Sequence, residues 1–225
     1  MLVGALATMA TCVASAATPP SAGGAEYAVR WNPLVGGPAT IAATLSLLGL
    51  RARHAETFSV DYYDLPPAAS TEPGFATILR RRVDAAGNAT ATWKLRGDRA
   101  LPHWVCPLRD AREAKAEVDV GFGSDDAVTR RYSYSCTSDD PESASALLSA
   151  RANGCPAAVT RMDAGHVRVE EWRLSGGAVL LEVSSGADDT PAALARFRRQ
   201  VVVPLLAAGI RPAQESKTDQ VGRCP

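Results

Sequence analysis

The residues best equipped for chemistry in this chain are basic pairs spaced two apart: Arg80 and Arg82 in Ile78-Leu79-Arg80-Arg81-Arg82, and Lys94 and Arg96 in Thr92-Trp93-Lys94-Leu95-Arg96. Residues two apart share one face of a β-strand. Each pair therefore occupies one face, with Leu79 and Val83, or Trp93 and Leu95, on the opposite one. Guanidinium groups grip phosphate oxygens through planar, charge-assisted hydrogen bonds, and a lysine adds a compact point charge. Acidic residues follow the same spacing: Glu117 and Asp119 against Val118 and Val120, and Glu170 beside Arg168 against Val167 and Val169. Carboxylates are the ligands that hard divalent cations take. Two arrangements fit this alternation. The charged faces form a solvated outer surface, with ion pairs worth about 0–1 kcal/mol each, or they point into a wet tunnel where a polyanion or a metal–anion complex neutralises them.

Strands must carry these side chains. Period-two patterning predicts them at 57–63, 75–83, 89–96, 116–122, 128–135, 157–162, 166–174 and 178–184, several joined by Gly-containing turns. Helices are predicted over 34–50, with Pro38 in the first turn and Ile41, Leu45 and Leu48 as an apolar stripe, and from Asp140-Pro141 to about Arg151. A third starts at Thr190-Pro191, kinks at Pro204 and ends at Gly209. Seven or eight antiparallel strands with few helices favour a sandwich or a closed barrel.

The 225 residues suit one domain, and the 24 basic and 24 acidic side chains cancel at a pI near 6.8. That balance argues against the whole-molecule field of nucleic-acid or acidic-membrane binders. Residues 1–17 are uncharged and end in Ala14-Ser15-Ala16, the pattern of a cleaved signal peptide, which places the mature protein outside the cytoplasm, secreted, periplasmic or lumenal. No other segment could span a bilayer. The remaining cysteines, Cys106, Cys136, Cys155 and Cys224, allow two disulfides in three connectivities. Three scattered histidines, the lack of a Gly-x-Ser-x-Gly elbow and the lack of a Gly-rich phosphate loop ending in Lys leave zinc, serine-hydrolase and P-loop chemistry without support.

Strings of this chain resemble, in order, the motifs of the CYTH superfamily, the triphosphate tunnel enzymes. They are Asp61-Tyr62-Tyr63-Asp64-Leu65-Pro66, Leu79-Arg80-Arg81-Arg82, Thr92-Trp93-Lys94, Lys115-Ala116-Glu117-Val118-Asp119, Arg168 to Leu174 followed by Leu181-Glu182-Val183, and Ser216-Lys217. The resemblance implies a mainly β, α+β domain over 24–217 with flanking helices: a closed eight-stranded antiparallel β-barrel, followed by a polar tail at 218–225. It implies that Arg30, Arg80, Arg82, Lys94, Arg96 and Lys217 hold the phosphates of a small triphosphate or polyphosphate. Glu26, Glu117, Asp119, Glu170 and Glu182 would hold Mg²⁺ or Mn²⁺, and Glu117 and Lys94 would carry the catalytic roles in hydrolysing a phosphoanhydride. Adenylyl cyclase activity also occurs in the family, but an exported protein would rarely meet ATP.

The sequence departs from the family pattern at two carboxylate positions. Glu26-Tyr27-Ala28-Val29-Arg30 stands where the family has Glu-x-Glu-x-Lys, and Glu182-Val183-Ser184 where it has Glu-x-Glu. An alternative is therefore a non-catalytic, secreted barrel that binds polyphosphate or another polyanion. A third reading, a lipocalin-like carrier, would line the interior with Leu79, Trp93, Leu95 and Val118.

Overall fold

Among the described residues, the eight period-two segments form strands, two further segments join them, and nine of the ten close into one ring. The structure, a computed structural model, describes residues 23–64, 72–108, 110–124, 127–139, 151–152, 156–214 and 217. The strands are β1 (Gly24–Trp31), β2 (His54–Asp64), β3 (Phe75–Asp84), β4 (Ala89–Gly97), β5 (Glu113–Phe122), β6 (Val128–Ser138), β7 (Arg151–Ala152), β8 (Ala157–Ala164), β9 (Val167–Leu174) and β10 (Val179–Asp188). Around the ring the order is β1-β10-β9-β8-β2-β3-β4-β6-β5 and back to β1, with β7 an appendage of β2. The barrel is closed and mainly β, as expected, but it has nine strands rather than eight.

The added strand is β1, whose alternation is blurred because Ala28 sits on its inward face. An odd ring cannot alternate direction all the way round, so one neighbouring pair must be parallel. That pair is β1 and β5, with Glu26 opposite Asp119 and Ala28 opposite Gly121; every other neighbour in the ring is antiparallel. The β3–β4 turn shows how the sequence sets register. The Asp84 carboxylate accepts from the Ala86 and Asn88 N–H groups at 2.9 and 2.8 Å, and Gly87 supplies the positive φ of 88° that closes the turn.

The apolar faces point outward and are covered. Tyr27, Val29, Trp31, Val120, Val169 and Leu181 on the β5-β1-β10-β9 wall pack beneath α1 (Ile41–Leu47), α2 (Pro191–Phe197) and α3 (Val203–Ala207). The first helix begins later than predicted. Pro33–Val35 is a short 3₁₀ turn, and Thr40 caps α1, its hydroxyl accepting from the Ala43 N–H at 3.1 Å. Ile41 and Leu45 are buried as the stripe required, and Leu48 packs against the same cluster.

Thr190 caps α2 as predicted, accepting from the Ala193 N–H at 3.2 Å. Between α2 and α3, residues 198–202 widen into a π turn in which the Val203 N–H reaches the Arg198 carbonyl. This turn precedes Pro204, whose missing N–H cannot serve the ordinary ladder. Gly209, at φ 84°, ends the helical run.

A second outer cluster joins Leu79, Trp93, Leu95 and Tyr134 to Trp104 and Leu108 from the β4–β5 connection. The Cys106–Cys136 disulfide fastens that connection to β6. With Leu79, Trp93, Leu95 and Val118 all in outer clusters, the lipocalin-like interior is ruled out. The segments expected as signal peptide and as polar tail, Cys155, Cys224 and the helix expected from Asp140 lie outside the described residues. Only that helix's expected last residue, Arg151, is described, and it begins β7.

Candidate polyanion and metal site in the barrel interior

With the apolar faces turned out, the inward positions of the strands enclose a cavity of about 380 Å³. Tyr62 and Ile78 are the two large apolar side chains in a lining otherwise composed of charged and hydroxyl groups. Glu26, Arg30, Arg80, Arg82, Lys94, Arg96, Glu117, Glu170 and Lys217 all face it. Asp119 lines a smaller recess that opens beside Arg30 and Arg96, and Glu182 is buried beneath the cavity wall. Where β1 terminates, Val60, Ala157, Val159, Trp172 and Leu180 fill the interior as an apolar plug. The charged residues fall into three groups with different states of pairing.

In the first group, the parallel β1–β5 pair and β4 bring Glu26, Glu117 and Asp119 together, with one carboxylate oxygen of each within 4.8 Å of the others. Lys94 Nζ lies 3.2 Å from Asp119 and 3.9 Å from Glu117, Arg96 donates to Asp119 at 2.7 Å, and Lys115 lies 3.0 Å from Glu117. Glu26 has no cation within 4.0 Å among the described residues. Burial pushes the Asp119 carboxyl up, but Lys94 and Arg96 outweigh it and hold the group at about 2. Burial and the Glu26 charge instead raise Glu117 above its ordinary value, Lys94 and Lys115 offsetting only part. Burial lowers the Lys94 ammonium, against the pull of Asp119. Three converging carboxylates, one of them unpaired, fit a hard divalent cation such as Mg²⁺ or Mn²⁺.

The second group is saturated. Lys217 Nζ lies 2.7 Å from both Glu170 and Glu182, Arg161 Nε donates to Glu170 at 3.0 Å, and Arg30 pairs with Glu182. Burial alone would raise Glu170; Lys217, Arg161 and Arg82 hold it well below the usual range. Ala28 and Ser184 are directly opposite across β1 and β10, so the wall lacks a carboxylate on both strands at the same level. Arg161 did not stand out in the sequence because its face of β8 also carries Ala157 and Val159. Charge and apolar residues are not segregated on that strand.

The third group lacks an ion-pair partner, although the Arg82 guanidinium lies 5.0 Å over the Phe58 ring. Arg80 and Arg82 project from β3, and among the described residues neither has a carboxylate within 4.0 Å. The Nε atom of each is buried without a hydrogen-bond partner. Burial, then the adjacent Arg80, disfavours the charged Arg82 guanidinium, with Glu170 a partial offset. A guanidinium does not escape by losing its proton at ordinary pH, so the cost persists until an anion meets it.

The fold has solved counterparts. A candidate adenylate cyclase of Vibrio parahaemolyticus superposes with a TM-score of 0.51 at 15% identity, over 88% of this chain and 98% of that one. A protein of Pyrococcus horikoshii superposes with a TM-score of 0.50 at 9% identity, over 87% and 97% of the two chains. No family model matches the chain, and no curated protein matches it. At such identities the likeness establishes the shared barrel fold, with the interior of this one described by its own residues.

Proposed function

We propose that this barrel is a triphosphate tunnel of the CYTH type, which binds a small triphosphate and hydrolyses a phosphoanhydride bond in it with the help of one divalent cation. The observation that carries the reading is the Arg80–Arg82 pair, which among the described residues has no carboxylate partner and whose buried Nε atoms have no acceptor, facing the same cavity as Glu26, itself without a cation within 4.0 Å. Arg80 and Arg82 take phosphate oxygens, and Lys94 supplies positive charge between them and the carboxylates. Glu26, Glu117 and Asp119 hold the cation, which when bound neutralises phosphate charge. Glu117, beside Lys94 at the same cavity, would orient the attacking water, whose proton passes to a carboxylate oxygen not engaged by the cation as the terminal phosphorus–oxygen bond breaks. A lining with few apolar groups offers little to a large organic moiety, which favours a compact substrate such as inorganic tripolyphosphate.

The Cys106–Cys136 disulfide and the leader-like residues 1–17 support a location in an oxidising compartment outside the cytoplasm. A second reading, polyanion binding without turnover, is favoured by one observation. Asp119, Glu170 and Glu182 are already engaged by protein cations.

Phosphate release from tripolyphosphate and from ATP, with Mg²⁺, with Mn²⁺ and with chelator, separates the two. Metal-dependent release is expected; binding without release under any condition supports the binder. Replacing Arg80 and Arg82 together by Ala removes two charge-assisted contacts, and tripolyphosphate affinity should fall by on the order of a hundredfold or more. The variant should still fold and melt cooperatively, since removing two like charges without an ion-pair partner offsets the loss of the Arg82–Phe58 contact. Unchanged affinity would sink the tunnel assignment.

A further inference from the structure

We infer that Lys217 is the fixed cation of one side of the tunnel, occupying the space between Glu170 and Glu182 so that the barrel takes a single divalent ion, at Glu26, Glu117 and Asp119. The inference rests on the reading of those three carboxylates as the ion site, and it separates them from two others of the same residue type in the same cavity.

All four oxygens of the Glu170–Glu182 pair already have donors. Glu170 Oε1 accepts from Arg161 at 3.0 Å, and Oε2 accepts from Lys217 at 2.7 Å and from the Trp172 indole at 3.0 Å. Glu182 Oε1 accepts from Lys217 at 2.7 Å, and Oε2 pairs with Arg30. The Lys217 ammonium also lies 4.6 Å from the centre of the Trp172 ring, the geometry of a cation–π contact. Arg161 also reaches the Glu56 carboxylate at 3.2 Å, so three carboxylates, Glu56, Glu170 and Glu182, face three cations, Lys217, Arg30 and Arg161, and the group is neutral without an added ion. A divalent ion entering there would have to displace the Lys217 ammonium from both carboxylates and would find no oxygen of either without a donor. Around Glu26, Glu117 and Asp119 the pairing is different: three carboxylates again stand with three cations, Lys94, Arg96 and Lys115, but among the described residues none lies within 4.0 Å of Glu26, and Lys115 is half exposed.

The chain delivers Lys217 by an anchored route. Ile210 is buried in the outer cluster, Pro212 bridges to Trp31, and the Ala213 N–H donates to the Arg30 carbonyl at 2.7 Å. The segment therefore passes from the outer helices along β1, and its lysine reaches the interior beside the apolar plug. Side-chain exposures of 3% for Glu170 and 1% for Glu182 mean that water could not replace the lysine as counter-ion.

Titration calorimetry and electron paramagnetic resonance with Mn²⁺, in the absence of any triphosphate, test the inference. The expected result is one Mn²⁺ per chain, with affinity at least about tenfold weaker in Glu26→Gln and within about twofold of the parent in Glu182→Gln. Lys217→Ala should admit a second Mn²⁺, seen as doubled stoichiometry and spin coupling between the ions. Two ions in the parent, none in the parent, a Glu182→Gln variant as impaired as Glu26→Gln, or a Lys217→Ala variant still limited to one ion would each overturn it. If Lys217→Ala does not fold, the two glutamine variants decide. Because no triphosphate is present, failure of hydrolysis or of phosphate binding is read separately from failure of this inference.

Discussion

Arg80, Arg82 and Asp119 illustrate the two states a charge can have inside this barrel. Asp119 is met by Lys94 and Arg96 and is held at about 2, below the ordinary 3.8 of an aspartate. Its contribution to stability is therefore complete above pH 3.8 and is lost as pH falls through about 2. Glu26 and Glu170 are lowered as well and act in the same direction. Glu117, which is raised, acts in the opposite one, stabilising below its ordinary value and losing that contribution as pH rises through its folded value. Asp119→Asn should lower stability at pH 7 by about 2 kcal/mol, with the difference from the parent vanishing near pH 2. Denaturant titrations across that range measure it, and a pH-independent difference would mean that packing rather than ion pairing accounts for the loss. The basic pairs and the Glu117–Asp119 pair were legible in the sequence from i, i+2 spacing alone. Their unequal pairing was not, because it depends on which strand lies opposite.

At the scale of elements, eight of the strands were legible and their ends less so, whereas β1 and β7 were not. β5 starts at Glu113 and β6 runs to Ser138, three residues beyond the patterned segments in each case, because cross-strand hydrogen bonding continues after hydrophobic alternation stops. The β4–β5 connection depends instead on a covalent tie. Cys106–Cys136 closes a span of 30 residues over Trp104 and Leu108. Replacing both cysteines by alanine should cost about 3–4 kcal/mol, the loop-closure estimate for that span. A loss under about 1 kcal/mol would show that burial of the apolar side chains already holds the connection. Leu205, fully buried where α3 meets the barrel wall, offers a second check. Leu205→Ala should cost about 2–5 kcal/mol in chemical denaturation, and near-neutrality would mean that the helix covering is dispensable.

The barrel is turned largely inside out, with its two larger apolar clusters outside and its charges within, above the interior plug around Trp172. Such an interior favours positive and negative groups that offset each other, and Arg80 and Arg82, which pair with no carboxylate among the described residues, are the part most open to an incoming anion. A polyanion that binds the folded barrel and not the unfolded chain should raise stability by about 2.7 kcal/mol at a hundred times its dissociation constant. Thermal melts with increasing tripolyphosphate measure this, and the gain should shrink as salt is raised. A melting temperature indifferent to tripolyphosphate at every salt concentration would contradict a cationic tunnel.

The sequence by itself determined eight of the strand segments, their amphipathic faces and the helix cap at Thr190, because backbone periodicity and side-chain chemistry are local properties. It could not determine whether the charged faces point outward or inward, since a solvated sheet and a tunnel share the same period of two. Tertiary closure decided that, by placing the helices and the β4–β5 connection over the apolar faces. Closure also set β1 parallel to β5, which put Glu26 beside Asp119, and it brought Lys217 between Glu170 and Glu182. Which carboxylates stay free for a cation depends on neighbours tens of residues away in the chain, and only the folded barrel brings those neighbours together.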